Sequence, residues 1–573
     1  MLEQLHALVR TLVFGLNDVV WGWPVALPAI VVLLVGTGLV TTLRLTVVQV
    51  RLFRHGLQVV RGRFDDPSHE GDLSHFQALT TALSATVGIG NIAGVATAIH
   101  YGGPGALFWM WVTAVFGMAL KYTECTLALR HRSVLPDGSV AGGPMYSIER
   151  GLGPRFKPLA IGFAVFTVIS SFGSGNAVQS FTVADQLRQD LNLPTWVTGL
   201  VMASLVAAVI LGGVRRIGRV TSKLVPVMAA LYVSSSLLVL ALHADRLVPA
   251  IIEIVTAAFQ PAAQVGGFAG GGFVFMLTWG VKRGLFSNES GQGSAPIAHS
   301  AARTDEPVRE GVVALLGPFI DTLVICTMTG LVIVCTGVWH GKQVQRIALT
   351  TQASVRALVA GARVQPDGVL RVEDLAEGRF DVVHGVPQGF ALVYNHGLID
   401  DVKLVLDDGQ ALEGKLEVKA GDLAGARWTS IDGRGMQAQV AVEGLALQNG
   451  SPLTAWGFKQ GLSRLGFGWG HLLVTLAVFL FGLSTAISWS YYGDRAVFYL
   501  VGPRWVLPYR VVFCGMHFLG AVFALEVVWA FGDVALGLMT IPNLLSILLL
   551  TGQVRSMTHA YQAAGKTLPP RQA

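Results

Sequence analysis

The residue types best suited to ion and ligand chemistry sit at two glycine-rich breaks in apolar runs, residues 87–94 (VGIGNIAG) and 266–272 (GGFAGGG). Each falls where a helix is expected to cross a bilayer. In lipid an unsatisfied N–H or C=O is costly, so a chain keeps such a break only where it lines a cavity or a binding site. The two breaks hold corresponding places in two halves of the chain, the spacing of a secondary transporter that grips substrate and coupling ion at broken helices near the midplane. Close helix packing is the alternative, although packing needs a small face rather than several consecutive glycines. Ionisable residues within spans are costly and point to function. Asp321, deep in an apolar run beside Thr322, could serve a second cation or a proton, or brace neighbouring helix ends. Lys121 and Glu124, three residues apart, are expected to pair, and Glu289 within SNESGQG to meet Lys282 or Arg283 at an inner gate.

The elements that must position these residues are membrane helices. The chain has 573 residues, 52% hydrophobic and only 13% charged, far more apolar than a soluble globular protein. The net charge of +6 reports topology rather than nucleic-acid binding, because the basic residues cluster in short loops between apolar runs. The four cysteines lie inside apolar stretches without metal-ligand or redox spacing. Runs of ~20 apolar residues give about eleven candidate spans, near 24–47, 76–100, 105–129, 158–187, 196–213, 224–243, 266–285, 311–339, 470–492, 508–530 and 533–552. Loops rich in arginine and lysine fall between alternate spans, which places them and the C-terminal tail in the cytoplasm and the N-terminus outside. Residues 1–22 carry Leu2, Leu5, Val9, Leu12, Val13 and Leu16 at helical spacing, as in a helix lying on the membrane surface; the start of the first span is the simpler reading.

Residues 341–455 break the pattern. Aspartate and glutamate become frequent, and the short alternating runs 402–406, 414–418 and 437–442 are bounded by turn residues. A small soluble β-rich insertion on the extracytoplasmic side is expected. It divides a transmembrane part into 23–340 and 456–553, before a cytoplasmic tail at 554–573. It reads as a tolerated loop insertion, with a lid or ligand-sampling module over the entrance as the alternative.

Residues 80–100 (TTALSATVGIGNIAGVATAIH), 102–122 (GGPGALFWMWVTAVFGMALKY), 142–146 (GGPMY) and 286–299 (FSNESGQGSAPIAH) resemble the alanine or glycine:cation symporter family. The resemblance continues through 319–327 (FIDTLVICT) and 481–493 (FGLSTAISWSYYG) to Pro542 and Asn543, covering nearly everything outside the insertion. It implies an all-α polytopic membrane protein with a five-plus-five inverted-repeat, leucine-transporter-like core, preceded by one extra N-terminal span. The broken helices would be the first of each repeat.

On that resemblance, Gly88, Gly90 and Gly94 let the backbone unwind, and the half-helix beginning near Asn91 and Ile92 offers amides and a positive dipole end to a substrate carboxylate. Carbonyls of Ser84 and Val87, with the hydroxyls of Ser484 and Thr485, would hold sodium. Asn91 either adds an oxygen to cation or substrate or caps the helix. Gln179 either meets the substrate or bonds between helices, and Trp489, Phe273 and Met276 are candidate walls of a small pocket. The family commonly has Thr or Ser where Ile89 stands, so substrate choice does not follow from the resemblance.

The function implied is import of a small neutral amino acid, alanine or glycine, with sodium by alternating access. The expected partners are that amino acid, sodium and the lipid bilayer; no nucleic acid and no organic cofactor are called for, and a monomer is expected. The GxG within GIGN lacks the βαβ frame of a dinucleotide site. No HExxH or GxSxG is present, and His75, His100, His299 and His517 are scattered, so an enzyme is not expected. A channel, or a transporter-like receptor whose insertion binds the ligand, is the competing class.

Overall fold

The computed structural model describes the chain except residues 1, 25–26, 67, 136–138, 261–271, 350–354, 360–373, 395–396, 407, 420, 431–434, 437–439, 523–524 and 568–573. It is mostly helical. Among the described residues six helices are long and apolar enough to cross a membrane: Gly105–Arg130, Pro154–Leu191, Gly213–Leu242, Pro307–Thr336, His471–Val501 and Val528–Ala563. A further pair, His75–Thr86 and Gly90–Gly102, is bent by 52° at its break. Ala29–Arg44 and Thr195–Ile210 are shorter apolar helices. Two of the expected spans come out short. Val506–Gly520 has 15 residues, and Phe273–Asn288 has 16, with Lys282 and Arg283 in its second half. Of the second glycine-rich segment, residues 266–271 lie outside the described residues; Gly272 caps a helix that runs unbroken through Phe273 and Met276.

Local chemistry explains where the bent helix starts and stops. Ser74 accepts from the Gln77 amide while the Gln77 side chain accepts from the Ser74 amide, a capping box that satisfies two end donors at once. The helix breaks after Thr86, where Val87 takes ψ 82°, and resumes in a wide π-helical turn, Gly90–Gly94. Similar wide turns interrupt two other spans, at Gly173–Ala177 and Phe319–Cys326. Such turns cluster at functional sites, and all three face the same interior. The N-terminal helix Leu2–Gly22 lays its last turn on the long C-terminal helix: Trp21 Nε1 donates to the Asp533 carbonyl at 3.0 Å, and Val20 fills the space over Gly537.

Between helix Thr327–Thr336 and helix Gly450–Ser463 the described residues form antiparallel strands. Val440–Leu447 is the centre of a three-stranded sheet, flanked by Lys342–Ala348 and Asp400–Leu406. Leu447 pairs with Lys342, so the segment leaves the membrane part and returns to it at one place. A larger sheet contributes Leu392 and Leu416 to a separate apolar core with Leu404 and Val442. Leu358 and Val393 pack against Tyr101 at the end of the bent helix. Helix Gly450–Ser463 reaches the break itself, where the Thr454 hydroxyl donates to the Ile92 carbonyl at 3.1 Å.

Candidate functional site

The break at residues 87–94 frees backbone groups, and several of them are met by side chains. Gly88 N donates to Asn91 Oδ1 at 2.8 Å and Ile89 N to Gln179 Oε1 at 3.4 Å. The Asn91 carbonyl accepts from Thr329 Oγ1 at 2.7 Å. Asn91 therefore folds its own oxygen back on the break, while its Nδ2 donates to Asp321 Oδ1 at 2.6 Å. Asp321 Oδ2 also accepts from Ser287 and Thr322, each at 2.7 Å. These side chains are fully buried, so the carboxylate is held by hydrogen bonds rather than by an ion pair, as buried charge requires.

On the other face of the helix, Ser84 meets His471–Val501. Its carbonyl accepts from Ser484 Oγ and Thr485 Oγ1, each at 3.2 Å, and its own hydroxyl lies 2.7 Å from Ser484 Oγ. Val87, one turn on, is buried and ends the regular helix. Hard oxygens gathered on an unwound backbone are the donor set a small alkali cation favours. The backbones approach so closely that a Cβ on Gly88 would stand 2.3 Å from Thr485 Oγ1.

Beside these groups lies a narrow cavity with about 10 Å³ of free space, bordered by Gly88, Gly90, Gln179, Thr485 and Trp489, together with Ser174, Phe286 and Glu289. That is about the room one water molecule needs, so the walls must part to take a ligand. The Gln179 amide is braced, donating to the Ser174 carbonyl at 2.9 Å. A Cβ on Gly175 would lie 2.3 Å from the indole of Trp489, so the wide turn Gly173–Ala177 is what lets the ring stand in the wall. Ile89 does not border the cavity; its side chain turns towards Gly482. Phe273 and Met276 do not border it either. Phe273 is 41% exposed beside Trp109 and Met276 packs on Gly102 and Gly105, because an unbroken helix carries them roughly 20 and 15 Å along its axis from Phe286, at ~1.5 Å per residue.

Two expected pairings are not made. Lys282 and Arg283 turn to Asp533, at 2.7 and 2.9 Å, rather than to Glu289. The reason is local: the helix ends at Asn288 and Glu289 sits in the left-handed region, φ 54°, which swings its side chain away from the helix face. Glu124 bonds Asn543 Nδ2 at 2.7 Å and the Gly291 amide instead of Lys121, whose Nζ is buried without a hydrogen-bond partner among the described residues. The residues that sequence reasoning missed as cavity walls are Ala85, Thr86, Ser174, Phe286, Glu289 and Leu536. The glycines around Ser174, in GSGNA, were the available signal.

The chain matches the model of the sodium:alanine symporter family over residues 6–365 and 438–571. It is 37% identical over 558 residues to the sodium/alanine symporter AgcS of Methanococcus maripaludis, covering 97% of this chain and 98% of that protein. Two Bacillus subtilis proteins are similar over a shorter stretch. The probable sodium/glutamine symporter GlnT is 36% identical over 60% of this chain and 69% of its own length, and the amino-acid carrier protein AlsT 39% over 55% and 67%. The matched residues include the bent helix, the oxygens around Ser84 and the cavity walls, and on that basis the chain belongs to the sodium:alanine symporter family.

Proposed function

We propose that the protein is a secondary symporter that carries a small neutral amino acid into the cell with sodium. The observation that carries this reading is the meeting of the Ser84 carbonyl with the Ser484 and Thr485 hydroxyls beside a cavity opened by the helix break. Sodium bound by Ser84, Val87, Ser484 and Thr485, with Asn91 adjoining, would tie the bent helix to His471–Val501. Ion binding then biases which side of the core is open. The amides at Gly88 and Ile89, and the helix running on through Gly90, Asn91 and Ile92, would receive the substrate carboxylate once Asn91 and Gln179 yield them. Trp489 and Phe286 bound the space left for a side chain, which favours alanine or glycine. Asp321, with its three donors, is the proposed place for a second cation or a proton.

In this reading the helices form a five-plus-five inverted repeat after one extra span, and a core group rocks against the rest. The arginine-rich loops face the cytoplasm, and the N-terminus and the strands of residues 342–447 face outside. The relatives named as sodium/alanine and amino-acid carriers support the ion and the substrate class. The test is uptake of labelled alanine and glycine into proteoliposomes with an inward sodium gradient, and with potassium in its place. Concentrative, sodium-dependent uptake is expected; downhill flux indifferent to sodium would mean a channel, and no flux of either would remove the substrate assignment.

A further inference from the structure

Among the described residues that line the cavity, Glu289 alone is ionisable, and its carboxyl group is buried, 2% exposed. Trp489 Nε1 donates to Oε1 at 2.8 Å and the Ser294 hydroxyl to Oε2. Each oxygen keeps acceptor capacity, since a carboxylate offers about four lone-pair sites. No cation stands within ion-pair distance of Glu289 among the described residues: Lys282 and Arg283 are committed to Asp533, and Lys121, whose field reaches Glu289, Glu124 and Asp321, makes no ion pair with any of them. One lysine facing three acids leaves negative charge for protons or bound cations to neutralise.

The backbone supplies an independent observation. Glu289 holds φ 54°, a region that a residue other than Gly, Asn or Asp enters at a cost and keeps mainly at functional sites. The conformation ends helix Phe273–Asn288 and delivers the carboxylate to the cavity, and Gly291 and Gly293, φ 79° and 91°, continue the turn. A structural cap alone would be served better by glycine.

We infer that Glu289 is the receptor for the substrate's ammonium group, positioned by Trp489 and Ser294 opposite the helix break once the narrow cavity widens to admit it. This rests on the symport reading and deepens it. A zwitterion is then held at both ends, carboxylate at the amides of residues 88–92 and ammonium at Glu289. The same carboxylate repels substrates that carry only a negative charge, so the site selects amino acids against carboxylic acids of equal size.

The experiment is thermal stabilisation of the purified full chain in detergent, with sodium present, by alanine, alaninamide (ammonium without carboxylate) and propionate (carboxylate without ammonium). The wild type is expected to respond to alanine, less to alaninamide and not to propionate. In Glu289→Gln, whose amide oxygen still accepts from Trp489 while the Ser294 hydroxyl turns to accept from its NH2, the alanine concentration for half the shift rises roughly thirtyfold or more. The sodium-against-potassium difference stays, and Glu289→Asp regains part of the response to alanine. An unchanged alanine response in Glu289→Gln, or a wild type that answers propionate as well as alanine, overturns the inference. If Glu289→Gln does not fold, the wild-type contrast and Glu289→Asp decide. A wild type indifferent to alanine but stabilised by alaninamide sinks the substrate assignment and leaves the ammonium site; indifference to all three compounds sinks both.

Discussion

Ser84 joins two helices through its carbonyl and its hydroxyl, and that makes the residues opposite it the sharpest test of coupling. Removing both hydroxyls, Ser484→Ala with Thr485→Ala, leaves the Ser84 carbonyl without the donors at 3.2 Å and a bound sodium without two oxygens. The expected outcome is at least a tenfold rise in the sodium concentration for half-maximal uptake, about 1.4 kcal/mol, with the protein still inserted in membranes. Uptake titrated against sodium in proteoliposomes checks it, and an unshifted titration would remove these residues from the ion site. The family resemblance made this cluster legible, through the glycines that mark the break and the FGLSTAISWSYYG run. Glu289 was misread for the opposite reason. Nearness in sequence suggested Lys282 and Arg283 as partners, and nothing short of the backbone angle at residue 289 says that the side chain turns into the cavity.

At the scale of elements, two wide turns and one sharp bend border the cavity, a third wide turn braces the break through Asp321, and their legibility follows their glycines. VGIGNIAG and GSGNA announce a departure from regular helix, whereas FIDTLVIC contains no glycine or proline and reads as an ordinary apolar helix; only the packing around Asp321 shows otherwise. The wide turn there supports a specific demand, that helix Pro307–Thr336 bring Asp321 and Thr322 to Asn91 and Asn288. The bend sets a tighter demand at Gly88. A methyl group there would stand 2.3 Å from Thr485 Oγ1 and 3.4 Å from Gln179 Oε1, so Gly88→Ala must push His471–Val501 away or rotate Thr485 out of place. Overpacking of this kind costs roughly 1–3 kcal/mol. Gly88→Ala is expected to lower the thermal midpoint and abolish sodium-stimulated uptake, while Gly36→Ala, where a Cβ meets nothing within 4 Å, leaves both unchanged. Equal behaviour of the two variants would show that the close approach at Gly88 is not required for transport.

For the whole molecule, the orientation proposed from charge asymmetry has a marker in the strands of 342–447. The natural cysteines Cys125, Cys326 and Cys335 are buried and Cys514 is partly so, which leaves room for introduced thiols. Asp401→Cys, on an exposed strand position, is expected to react in intact cells with a membrane-impermeant maleimide, and Arg504→Cys only after the cells are opened. The reverse pattern would invert the topology.

The strands also pose the question of whether they belong to the transport machinery. The family match omits residues 366–437, and the paired strands Lys342–Ala348 and Val440–Leu447 bring both ends of the segment to one place, so a short linker can close the gap without moving either flanking helix. Against this, Leu358 and Val393 rest on Tyr101 at the end of the bent helix. The more direct hold on the break comes from outside the segment, through Thr454 on helix Gly450–Ser463, and excision leaves that bond in place. Replacing residues 342–447 by a flexible linker is therefore expected to preserve sodium-stimulated uptake within about threefold, a change of ~0.6 kcal/mol in the rate-limiting step. The measurement is initial uptake by the excised and full chains in matched proteoliposomes, with monodisperse elution as the check on folding. A well-folded excised protein that no longer transports would make the contact at Tyr101 part of the cycle, and the strands a working piece of the outer gate.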